Sequence, residues 1–242
     1  MLIDRFSIRN RPSGKPIMHQ TWGKLLFMHW TIDADLLRPL IPAGLEIDTY
    51  NGDALIAVVP FTMWDIRALP SFLPAVPKLN AMHELNVRTY VHHNGTPGVW
   101  FLSLDCNNST AVFGARTFYY LPYYNAELKL EQTNTKIDYS LKRTDKPRAT
   151  FNATWHIGTQ LPTSEPDTLE FFLTERYCLF TEHKGKIYQA RISHHPWPLQ
   201  TATVDAYSSS MIEVLGLPEP TTAPMLHYAE EISVDIWALH KV

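Results

Sequence analysis

Apolar residues alternate with polar ones, or run unbroken in short blocks, along most of this chain, a pattern of strands rather than helices. Such β-rich segments fall at residues 54–65, 84–92, 99–104, 126–131, 137–142, 150–156, 177–182, 187–192 and 231–239. The last alternates Ile232, Val234, Ile236 and Ala238 with more polar neighbours, and Met28, His29 and Trp30 mark an apolar strand near the N-terminus. Asn94-Gly95 and Lys184-Gly185 lie between strand runs and read as hairpin turns. His92-His93, beside the first of these, reads as a solvated hairpin tip.

Helical signals are confined to three stretches. Asp33 caps a turn over residues 34–40, which stops at Pro42 and Gly44. Asn108 or Ser109 caps residues 110–120, where Val112, Ala115 and Tyr119 share a face and Pro122 ends the run. Asp167 or Thr168 caps residues 168–176. Strands joined by tight turns, with no helix after each, predict a mainly β (α+β) fold: an antiparallel barrel or sandwich with a few short helices. No linker, repeat or low-complexity tract interrupts the pattern, so residues 1–242 read as a single domain.

Composition narrows the function classes. Hydrophobic residues make up 45% and charged residues 19%, an ordinary globular balance, and the net charge is −3 with no basic run. Nucleic acid is therefore not an expected partner. Apolar runs such as residues 54–63 are too short to span a bilayer, and the N-terminus has no signal-peptide core, so no membrane partner is expected. Cys106 and Cys178 sit among apolar neighbours and read as buried free thiols in a reducing cytoplasm. The glycines never cluster as a dinucleotide or phosphate loop, and no cofactor is expected. No Gly-x-Ser-x-Gly elbow surrounds Ser103, Ser193 or residues 208–210.

The segment AVFGARTFYYLPYYNA, residues 111–126, follows an acidic strand, a hairpin and a second strand. In order and spacing it resembles the acetoacetate-decarboxylase-like superfamily. More closely, LLFMHW (25–30), PLIPAGLEIDTYNG (39–52), ELNVRTYV (84–91), FFLTERYCLFT (171–181), HHPWPLQ (194–200) and LHYAEEISVDIW (226–237) are similar to the bacterial YqjF-like family within that superfamily. The resemblance implies an antiparallel β-barrel enclosing a mostly apolar pocket for a small-molecule ligand. It also implies what is missing. Where the decarboxylases have Pro-Lys-Lys, this chain has Pro122-Tyr123-Tyr124, and a tyrosine supplies no primary amine for a Schiff base. Lys129, on a strand with Glu127 and Glu131, reads as a solvated strand-face residue, and nothing in the context of Lys24 or Lys78 favours a pocket.

The candidate site residues follow from both readings. Glu84 aligns with the acidic residue that guards the decarboxylase pocket. Positions i and i+4 of a strand share a face, so Glu84 and Arg88 either point inward together or stand as two charges on an exposed face. Arg116 either offers a fork to a substrate carboxylate or pairs structurally, with Asp105 the expected partner. Glu175 and Arg176 read as an internal ion pair. Tyr123 would orient a substrate, with Tyr124, Tyr120, His195 and Trp197 lining its seat. Adjacent His194 and His195 face opposite ways on an extended segment, so at most one joins the site, and neither has a third partner at metal-ligand spacing. No metal is expected.

Two functions fit these residues. One is a lyase- or hydrolase-like enzyme acting on a keto- or carboxyl-bearing metabolite without Schiff-base lysine chemistry. In it Glu84 is general acid or base, and Arg88 and Arg116 hold the anion. The other is a non-catalytic binding protein for a small hydrophobic metabolite. Glu84 and both arginines converging in one cavity would favour the enzyme, and a purely aromatic wall would favour binding. A homo-oligomer is compatible with the sequence, which identifies no interface for one.

Overall fold

In the computed structural model, which describes residues 3–68 and 81–242, thirteen strands form one hydrogen-bonded network. They are β1 (Met18–Ile32), β2 (Glu46–Ile47), β3 (Ala54–Ala68), β4 (Ala81–His93), β5 (Thr96–Cys106), β6 (Tyr123–Thr133) and β7 (Lys136–Arg143). Then follow β8 (Thr150–Gln160), β9 (Cys178–His183), β10 (Lys186–Ser193), β11 (Leu199–Ser209), β12 (Met225–Ile236) and β13 (His240–Lys241). Three short α-helices interrupt them: α1 (Ala34–Leu37), α2 (Ser109–Phe118) and α3 (Leu169–Thr174).

Each helix starts at a side chain that takes an otherwise unpaired N–H. Asp33 accepts from Asp35, Asn108 from Thr110 and Ala111, and Thr168 from Phe171. The Asn94-Gly95 and Lys184-Gly185 turns have positive φ at both residues, as tight hairpins require. The 92–93 tip departs from expectation. His92 is only 7% exposed, and His93 hydrogen-bonds the Gly44 carbonyl and packs on Phe180.

The sheet is mixed rather than wholly antiparallel. β5 pairs antiparallel with β4 but parallel with both β6 and β9, through different parts of its length. β12 likewise divides, meeting β11 near one end and β10 near the other. As a result β1, β3, β4, β5, β9, β10 and β12 each pair with the next, and β12 pairs back to β1.

β4 divides a packed core from a cavity. Alternate side chains of a strand face opposite ways. Leu85, Val87 and Val91 enter a core that includes Leu26, Met28, Ile56, Tyr139, Phe151 and Trp155. Glu84, Asn86 and Arg88 face the cavity on the other side. An irregularity in the β4–β5 register between Val87 and Arg88 skips one β5 residue, and both Phe101 and Leu104 line the cavity across it.

Candidate functional site

The cavity, about 320 Å³, is enclosed by that cycle of seven strands, by α2 and by the segment after β10. Its walls are largely apolar: Trp22 and Leu25 from β1, Val59, Phe61 and Met63 from β3, with Trp197 packed edge-on to Phe27. α2 presents Thr110, Ala111, Gly114, Ala115 and Phe118 to it, and Phe118 is also 70% exposed, so this helix flanks an opening.

Into this apolar space β4 projects a polar stripe, Glu84, Asn86 and Arg88. Glu84 is 2% exposed, and its Oε2 accepts a 2.6 Å hydrogen bond from the Tyr123 hydroxyl. Burial pushes the Glu84 carboxyl up to about 8, against the opposing pull of donors from Tyr123 and Asn86 and with a small further push from Asp105. At neutral pH Glu84 is therefore mainly a protonated acid. Burial and the neighbouring Glu84 also hold the Tyr123 phenol well above its ordinary value, so Tyr123 acts as a hydrogen-bond donor and not as a base.

Arg88 stands over the rings of Phe27 and Tyr90, at 5.3 and 5.9 Å from their centroids. Its Nε is buried without a partner, and among the described residues no carboxylate lies within ion-pair distance of it. A guanidinium so placed is a seat for an anionic ligand group.

The other expected residues divide. Trp197 lines the cavity, and of the two histidines it is His194 that does so, stacked 4.4 Å from the Tyr177 ring, while His195 is exposed. Arg116 does not reach the cavity. It points off the far side of α2, donating to the Tyr123 carbonyl and pairing with Asp145 at 2.8 Å. Asp105 is paired with Arg143 instead of Arg116. Tyr124 packs under the Arg143 guanidinium at 4.0 Å, and Tyr120 stacks on His183 at 4.0 Å, so both tyrosines are occupied outside the cavity. Glu175 and Arg176 do not pair with each other. Arg176 pairs with Asp48 at 2.6 Å, and Glu175 accepts from the Tyr177 hydroxyl and the Trp197 amide. Lys129 is exposed, Lys24 does not line the cavity, and Lys78 lies outside the described residues.

Asn86 is not among the expected site residues, Arg176 is expected only as a partner of Glu175, and the choice between His194 and His195 is open in the sequence, yet Asn86, Arg176 and His194 all line the cavity. Asn86 was findable, since it sits between Glu84 and Arg88 at the strand period. Among the described residues no group of three or more His, Cys, Asp or Glu is placed to hold a metal ion, and no helix is long and apolar enough to cross a membrane.

The family model DUF2071, described as an uncharacterized conserved protein, matches residues 19–233. The uncharacterized protein YqjF of Bacillus subtilis (strain 168) is 43% identical over 242 residues, covering 99% of each chain. The enduracididine biosynthesis enzyme MppR complexed with pyruvate superposes with a TM-score of 0.67 at 12% identity, covering 94% of this chain and 91% of that one. An acetoacetate decarboxylase-like enzyme from Sphingomonas wittichii RW1 superposes with a TM-score of 0.62 at 11% identity, covering 95% and 94%. At such identities the structural likeness carries the fold, and chemistry must be argued from the site.

Proposed function

We propose that this chain, which belongs to the DUF2071 family within the acetoacetate-decarboxylase-like superfamily, takes a small keto- or carboxyl-bearing metabolite into the β4 cavity and acts on it without a Schiff-base lysine. The observation that carries this reading is the stripe of Glu84, Asn86 and Arg88 in a largely apolar enclosure. Arg88 holds the ligand's carboxylate. Glu84, protonated at neutral pH, gives a proton to the ligand's oxygen as charge develops there, and Tyr123 fixes the carboxyl's orientation. The apolar walls lower the local dielectric and strengthen both interactions. The neighbour MppR was solved with pyruvate, itself a keto acid, which accords with this ligand class. The cyclic strand pairing supports reading the enclosure as a closed barrel around the ligand.

The reaction is lyase- or hydrolase-like in this reading, and mass spectrometry of whatever copurifies with the protein identifies the substrate. Glu84→Gln should then lower turnover by about 10²-fold or more. Unchanged turnover would contradict the role of Glu84. Borohydride added with a keto acid should trap no adduct, and an adduct would overturn the Schiff-base exclusion. The preponderance of apolar and aromatic wall favours one second reading, a non-catalytic carrier of a hydrophobic metabolite. Recovery of the ligand unaltered, with a thermal shift on binding, would select it.

A further inference from the structure

The sequence offered Arg88 and Arg116 as a pair of anion-binding forks, and the fold keeps only the first. Another arginine takes the vacated role. Arg176 lines the same cavity, and its guanidinium lies 4.7 Å from the Tyr90 ring centroid, with Arg88 at 5.9 Å from the same point. Arg176 is 5% exposed. Its Nε donates to the Phe172 carbonyl and its Nη1 to Asp48, but its Nη2 is buried with no partner. Two guanidiniums thus stand beside one aromatic ring, both residues line the cavity, and each has one buried N–H without a partner.

The local charges do not balance. Asp48 serves both Arg176 and Arg5, so that cluster retains one positive charge, and Arg88 adds a second. Glu84 is protonated at neutral pH and compensates neither. Tyr90 compensates neither, because its hydroxyl donates to the Leu173 carbonyl and burial raises its pKa. Among the remaining carboxylates nearby, Glu170 lies beside His227, and Glu175 meets only the neutral Tyr177 hydroxyl and Trp197 amide, so its charge offsets one of the two and a single positive charge is left over. Arg88 is half-buried and faces a largely apolar cavity, so a positive charge left over there favours a bound anion.

We infer that Arg88 and Arg176 form a two-guanidinium seat and that the cavity's occupant is a small dicarboxylic acid, with one carboxylate for each arginine. This rests on the reading of the cavity as a small-acid site and adds to it the number of acidic groups.

Calorimetric titration with 2-oxopentanedioate and 2-oxopentanoate, a diacid and a monoacid of equal chain length, tests the inference. The diacid should bind about tenfold tighter or more to the unaltered protein, a difference of about 1.4 kcal/mol. Arg176→Gln should bring the diacid to the affinity of the monoacid, and Arg88→Met should weaken both. Arg176→Gln leaves Asp48 paired with Arg5 but takes one donor from it, so the double variant Asp48→Asn with Arg176→Gln is measured beside it and should behave alike. Equal affinities in the unaltered protein, with the monoacid bound, would overturn the dicarboxylate inference and leave the small-acid reading standing. Binding of neither probe would overturn both. A diacid preference that survives in whichever Arg176 variant folds would also overturn the inference.

Discussion

Arg143 and Arg88 are both built into the sheet around β5, and their surroundings could hardly differ more. Arg143 has a side chain 1% exposed and is closed on every side. Its Nε and Nη2 donate to Asp105 at 2.6 and 2.7 Å, its Nη1 leans on the Pro147 carbonyl, and its plane covers Tyr124. Arg88 faces an apolar cavity with a buried Nε unmet and no carboxylate partner among the described residues. Glu84, two steps along the same face, is likewise buried with only neutral donors, Tyr123 and Asn86. A charge that serves the fold finds its counter-charge within the fold. One left open, in a cavity of ligand size, is placed for something from outside.

The largest expected effect tests this contrast directly. Arg143→Met leaves Asp105 buried and alone and should cost about 3–5 kcal/mol of unfolding free energy in denaturant titrations. Arg88→Met removes a charge that has no partner to strand and should change stability by less than about 1 kcal/mol. A comparable loss in both variants would erase the distinction between a structural arginine and a site arginine.

Glu84 supplies the next effect, through pH. Its carboxyl titrates near 8 when folded, against an ordinary value of 4.5. Between those values the folded form holds the extra proton, so stability is highest below the lower value and falls as pH rises towards the upper one, by at most about 1.4 kcal/mol per pH unit. In Glu84→Gln this share of the pH dependence should vanish, and the variant should be the more stable protein at alkaline pH. Parallel slopes for the two proteins would show that Glu84 is not a buried acid.

Tyr123→Phe is expected to cost about 1 kcal/mol by removing the hydrogen bond to Glu84. Since the Tyr123 donor favours the carboxylate form, its loss should move the Glu84 midpoint further upward in a pH titration of the carboxyl carbon. The smallest effect belongs to Arg116→Ala. Its partner Asp145 is at the surface, so stability should fall by about 0–1 kcal/mol. Binding of 2-oxopentanoate should stay unchanged, and weakened binding would return Arg116 to the site.

Much of this was legible from residue order because it is local. The strand period alone puts Glu84, Asn86 and Arg88 on one face, and the caps at Asp33, Asn108 and Thr168 stand where short polar side chains precede apolar runs. β11 escaped notice because its apolar alternation rests on small side chains, Ala202, Val204 and Ala206, of which only the first two pack against the core. Arg116 and Arg176 could not be sorted locally. One depends on which face of α2 meets the cavity, and the other on a pairing with Asp48 across 128 residues. Tyr120 was misplaced because its positive φ of 54° swings the ring away from the cavity and onto His183. The two parallel pairings of β5, with β6 across the α2 crossover and with β9 much later in the chain, are not made by hairpins, so hairpin signals do not report them.

The site stands or falls on Glu84 being held as a neutral acid within reach of a ligand. Carboxyl-carbon NMR of the protein labelled at glutamate, assigned by comparison with Glu84→Gln, measures that state directly. A Glu84 midpoint near 8 is the expected result, and one near the ordinary 4.5 would contradict the account.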